Sequence, residues 1–126
     1  MPNPIPPPGP ERDTEIVLAL GGAWVTLPDP IDGGTIRRIR LPDDSMLGEL
    51  PPYSTDPAAC DRLERELADR GFQVLTNRWA STSIYPGQVD ASVTPGHNSD
   101  RASVHTGTTR PDAVSAAALL ALRGAR

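Results

Sequence analysis

The stretch Leu50–Phe72, LPPYSTDPAACDRLERELADRGF, carries the start, the buried face and the end of one helix, and the rest of the chain is read outward from it. Pro51 and Pro52 stiffen the approach, while Ser54, Thr55 and Asp56 offer side-chain oxygens to the free N–H groups of a first turn. Pro57 suits the first helical position, where its missing N–H is not needed, and Gly71 suits the left-handed residue just beyond the last turn. Between these limits Cys60, Leu63 and Leu67 recur at helical spacing, with Asp61, Arg62, Glu64, Arg65 and Asp69 filling the other faces. The spacing predicts a helix that lies on the core with its leucine stripe. Leu50-Pro51-Pro52-Tyr53 also matches, formally, the ligands of proline-binding aromatic grooves, but the same residues have a sufficient structural task in leading the chain into the helix.

Upstream, MPNPIPPPGP has few amide donors and predicts an extended, mobile or surface-draped arm. Residues 1–10 are therefore set apart from a single domain over residues 11–126. Glu11–Leu20 predicts a short helix stopped by Gly21 and Gly22, with a strand over Glu15–Leu20 as the competing reading. AWVTLP and TIRRIRLP flank the turn-forming DPIDGG and predict a hairpin. The following PDDSMLGELPPYSTDP predicts a polar loop.

Downstream, FQVLTNRWASTSIY, QVDASVT and RASVHTG predict three strands joined at Pro86-Gly87 and by PGHNSD. If Tyr85 pairs with Gln88, Ile84 meets Val89 and Thr82 meets Ala91; if Thr94 pairs with Arg101, Val93 meets Ala102 and Ala91 meets Val104. These apolar residues then share one face with Phe72 and Val74. The far face receives Leu75, Trp79, Asp90, Ser92, Arg101, Ser103 and His105, with Asp90 directly across from His105. Leu75 and Trp79 call for cover, which the N-terminal helix with Trp24 and Val25 would supply. Finally Thr109–Asp112 fits the Ser/Thr-x-x-acid start of a helix, continued by AVSAAALLAL. The expected fold class is α+β: an antiparallel sheet, hairpin plus three-stranded meander, sandwiched by helices in the order helix, strands, helix, strands, helix.

Composition bounds the function. In 126 residues with 37% apolar content only a modest core can form, which argues against a large multi-step enzyme. A net charge of -4 opposes non-specific attraction to phosphate backbones and anionic membranes. Nucleic acid is also disfavoured by the eight acidic and eight basic side chains from Asp56 onward and by the single Arg110 opening the last helix. One cysteine, Cys60, excludes an intrachain disulfide and a multi-cysteine zinc site. No apolar run is long enough to span a bilayer and the start lacks a signal pattern, so an intracellular location is expected. All the basic side chains except the two histidines are arginine, a usage typical of a GC-rich genome.

The segment ELPPYSTDPAACDRLERELADRGFQV, followed after the strands by TRPDAVSAAALLAL, resembles the phage ABA sandwich domain, a small domain of bacteriophage and prophage proteins. DTEIVLALGGAWVTLP resembles that family's short helix and aromatic strand, so the resemblance runs from about Asp13 to Leu122. It implies a sheet held between helical layers, a phage or prophage origin and no assigned enzymatic activity. The proline-rich arm departs from the pattern.

Chemistry finds little foothold. His97 and His105 with Asp90 and Asp100 match no standard metal spacing, Ser99 near His97 and Asp100 lacks a nucleophile motif, and LGGAW lacks the ending of a phosphate loop. No catalytic residue, metal or cofactor is therefore assigned. Arg37, Arg38 and Arg40 read as a solvated strand face. The candidate ligand-binding set is Trp79, Asp90, Ser92, Arg101, Ser103 and His105 on the far sheet face. The expected function is a small non-enzymatic accessory protein acting by binding in the host cytoplasm, its partner a host or phage protein or a small anionic ligand. Sequestration of a nucleotide-like signal and a minor virion component are the alternatives, and a homo-oligomer is compatible with each.

Overall fold

The computed structural model describes residues 4–42, 44–79, 87–96 and 102–124. Helix α1 (Pro10–Ala19) leads into strands β1 (Ala23–Pro28), β2 (Thr35–Arg40) and β3 (Met46–Leu47). Helix α2 (Pro57–Asp69) is followed by β4 (Phe72–Arg78), β5 (Val89–Pro95) and β6 (Ser103–Gly107), and α3 (Arg110–Gly124) closes the order. The strands form two antiparallel three-stranded sheets, β1-β2-β3 and β4-β5-β6. The fold is α+β, in the order of elements expected.

The local chemistry of α2 is as its sequence dictates. Asp56 caps it by accepting from the Ala59 N–H at 2.9 Å, Pro57 occupies the first position, and Gly71 follows the end at φ 87°. Cys60, Leu63 and Leu67 are buried. The hairpin also forms as expected, closed by Asp29, whose carboxylate accepts from the Ile31 and Asp32 amides. Met46 and Leu47, expected in a loop, instead pair with Arg40 and Ile39, and Leu47 packs against the core.

Helix α3 is the centre of the molecule. Nearly every side chain from Pro111 to Leu122 is buried, because β5 and β6 lie on one side of it and α1 and α2 on others. Its alanines permit those close approaches. Thr109 caps it, accepting from the Asp112 N–H at 3.1 Å, and the Asp112 carboxylate reaches back to the Thr108 N–H at 3.2 Å.

Three expectations are refined or corrected. Of the mobile and surface-draped readings of the proline-rich arm, the contacts of its described residues match the second: Ile5 packs against the core, the Pro6 carbonyl accepts from Arg12 Nε at 2.7 Å, and the Gly9 N–H donates to Ser54 Oγ at 2.8 Å. The buried Arg12 guanidinium draws the arm in, since it must find acceptors inside the protein. Second, α1 packs on α3 and does not cover Leu75, which is 58% exposed, while Trp24 lies under the Arg37 guanidinium at 4.4 Å.

The third correction is register. β4 pairs with β5 so that Thr76 meets Ala91 and Arg78 meets Val89, not Thr82 and Ile84, which lie outside the described residues with Tyr85. The pairing is set at the other end, where Gly96 N–H donates to the Gly71 carbonyl at 2.7 Å immediately after α2. The shift is even, so Phe72 and Val74 keep the buried side. Between β5 and β6 the shift is by one residue: Val93 meets Ser103, Ser92 meets Val104, Ala91 meets His105 and Asp90 meets Thr106. Every β6 side chain is therefore on the face opposite to the expected one. Gly107 is the cause. It lies beneath the start of α3, where a Cβ would come within 2.7 Å of Asp112 Oδ2, so the helix requires a glycine facing it and parity turns Val104 and Thr106 outward.

Candidate functional site

The face of the β4-β5-β6 sheet turned away from α3 takes Leu75 and Asn77 from β4, Asp90 and Ser92 from β5, and Val104 and Thr106 from β6. Leu75, Ser92 and Val104 form one cross-strand row; Leu75 and Val104 are each 58% exposed. Asn77, Asp90 and Thr106 form the neighbouring row. On the opposite face Val89, Ala91 and Val93 are buried beneath the helices. The sheet thus has one dry face and one that no described helix covers.

Asp90 organises the open face. Its Oδ2 accepts from Trp79 Nε1 at 2.7 Å and its Oδ1 from Thr106 Oγ1 at 2.5 Å, so both oxygens are engaged and the indole is fixed at the margin. Trp79 continues the ladder beyond β4, its N–H donating to the Gln88 carbonyl at 2.8 Å. Ser92 Oγ and Thr94 Oγ1 lie 3.4 Å apart along β5. The face holds a carboxylate with both oxygens hydrogen-bonded and presents two aliphatic side chains.

Of the six residues proposed from sequence, Trp79, Asp90 and Ser92 share this face. Ser103 and His105 do not, because the one-residue register places them on the α3 side opposite Val93 and Ala91. Arg101 lies outside the described residues. The expected Asp90–His105 pair is not formed, and Thr106 takes the histidine's place. Sequence reading therefore missed Thr106 and Val104. The signal that finds them is Gly107 two residues before the Thr109 cap, which marks the side of the strand that must admit a helix.

The other basic groups named from the sequence have local tasks. Arg110 joins α3 to α2, donating to Glu64 at 2.7 Å, Asp61 at 2.8 Å, the Pro57 carbonyl at 3.2 Å and Cys60 Sγ at 3.4 Å. Burial pushes the Cys60 thiol up to about 12 against the opposing pull of Arg110, so it is an inert core thiol. Among the described residues no group of three or more His, Cys, Asp or Glu side chains could hold a metal ion, and no helix is long and apolar enough to cross a membrane.

No family model matches this chain, and neither does any curated protein or solved structure.

Proposed function

We propose that this chain is a phage- or prophage-encoded accessory protein that acts in the host cytoplasm by binding another protein, without catalysis, through the open face of the β4-β5-β6 sheet. The observation that carries the reading is the pairing of Leu75 and Val104 across Ser92 on a sheet face that no described helix covers, beside a row whose carboxylate is already satisfied. Exposed aliphatic side chains on a hydrogen-bonded sheet face suit a protein partner. A small anionic ligand is less well served, since His105 is turned away and the charge that the described residues place on this face is a carboxylate. The phage origin rests on the sequence resemblance alone.

The test is native mass spectrometry of the chain expressed in a bacterial host carrying the phage, beside Leu75→Arg and Val104→Arg. Binding through this face predicts a protein complex that both variants lose while their melting temperatures stay near the parent's. A complex retained by both variants contradicts it.

A further inference from the structure

A second feature, separate from the sheet face, is a cavity of about 200 Å³ where the β1-β2-β3 sheet meets the helices. Its lining comes from four places: Leu20 at the end of α1, Leu41 and Pro42 after β2, Tyr53 in the turn before α2, and Arg62 and Glu66 on α2. Leucine and proline form the walls. Tyr53 is 95% buried as a side chain packed in the core, 5% remaining exposed. Yet its hydroxyl makes no hydrogen bond to any described group, in contrast to the usual fate of a buried tyrosine. No buried side-chain oxygen or nitrogen among the described residues is sealed away without a partner, so this hydroxyl opens onto the cavity. Burial, the largest influence, raises the phenol pKa, which keeps the hydroxyl a donor.

The two charges at the rim differ in what they have free. Glu66 is bonded by Arg70 through Nε and Nη2, both at 3.3 Å, and Arg70 also donates to the Leu20 carbonyl, fixing that pair to the end of α1. Arg62, one turn before Glu66, donates to no described group, though it lies near enough to Tyr53 to act on its ionisation. The cavity therefore offers leucine and proline walls, the Tyr53 phenol with no acceptor among the described residues and, at its exposed rim, the Arg62 guanidinium, likewise with no described acceptor, beside the Arg70-paired Glu66 carboxylate. We propose that it is a binding site for a small organic carboxylate with an apolar body, whose carboxylate is held by Arg62 and the Tyr53 hydroxyl while its body lies against Leu20, Leu41 and Pro42. A dry cavity of about 150 Å³ accepts benzene, so this volume matches a single ring bearing a carboxylate.

The experiment is an NMR titration of the whole chain with benzoate, hexanoate and benzylamine, the last nearly isosteric with benzoate and of opposite charge. Benzoate and hexanoate should give saturable shifts at Leu41, Tyr53 and Arg62 and compete with one another. Tyr53→Phe, which keeps the ring in the core, and Arg62→Gln should each weaken benzoate by about tenfold, the loss expected for one hydrogen bond to a charged group, with otherwise native spectra. The proposal is overturned if benzoate gives no saturable shift at these residues, if benzylamine binds as well as benzoate, or if both variants bind benzoate like the parent chain.

Discussion

Arg12 and Asp112 meet at 2.8 Å from positions a hundred residues apart, and both are largely withdrawn from solvent. Arg12 also donates to the Asp112 carbonyl, Ser115 Oγ and the Pro6 carbonyl, while the second oxygen of Asp112 holds the Thr108 N–H. One carboxylate thereby fixes the start of α3, the end of β6 and the side of α1.

Removing it leaves a buried cation short of its counter-charge, the costly way to break such a pair. Asp112→Ala should destabilise the chain by about 3–5 kcal/mol in denaturant unfolding. A loss under about 1 kcal/mol would mean that the neutral oxygens around Arg12 suffice.

The arm is expected to contribute to stability. Deleting residues 1–8 removes Ile5 from the edge of the core and the Pro6 acceptor of Arg12. The melting temperature should fall by more than ~5 °C, equivalent to roughly 1 kcal/mol at this size; an unchanged value would show these contacts to be idle.

The faces of α2 should separate sharply. Leu67 is completely buried, and Leu67→Ala should cost about 2–5 kcal/mol. Glu64 shares Arg110 with Asp61 at a half-exposed site, so Glu64→Ala should cost no more than about 1 kcal/mol. Equal losses in denaturant unfolding would contradict the packing of this helix.

Stability should fall at alkaline pH. Burial raises the Cys60 thiol from 9.0 to about 12 and raises Tyr53 above 10.0. As pH climbs through the window from 9.0 to about 12 the unfolded chain loses the thiol proton and the folded chain keeps it, so that contribution is complete below the window and lost across it. Each such group adds a slope of up to ~1.4 kcal/mol per pH unit. Cys60→Ala should flatten the decline without abolishing it, because Tyr53 remains; an unchanged slope would show that the thiol titrates normally in the folded chain.

How far the sequence carried depends on where each signal resides. α2 was legible because its cap, its leucine spacing and its final glycine are local to Asp56–Gly71, and the hairpin because Asp29–Gly34 closes on itself. Strand pairing is a contact between distant segments. The Pro86-Gly87 pair suggested a tight turn, whereas the ladder is set by Gly96 meeting Gly71, and β6 is oriented by what α3 requires of Gly107. Half of the proposed site stayed together because Trp79, Asp90 and Ser92 hold one parity; Ser103 and His105 left it through a slip of a single residue.

That register decides which side chains the open face displays, and it can be measured directly. Residues directly opposite on one sheet face bring their Cβ atoms to about 5 Å, so the parity of β6 is written in its side-chain NOEs. The structure predicts strong NOEs from the Val104 methyl groups to the Ser92 β-protons, and from the His105 ring to the Ala91 methyl group. NOEs from Val104 to Ala91, together with His105 to Asp90, would place the histidine on the open face and contradict the binding surface described.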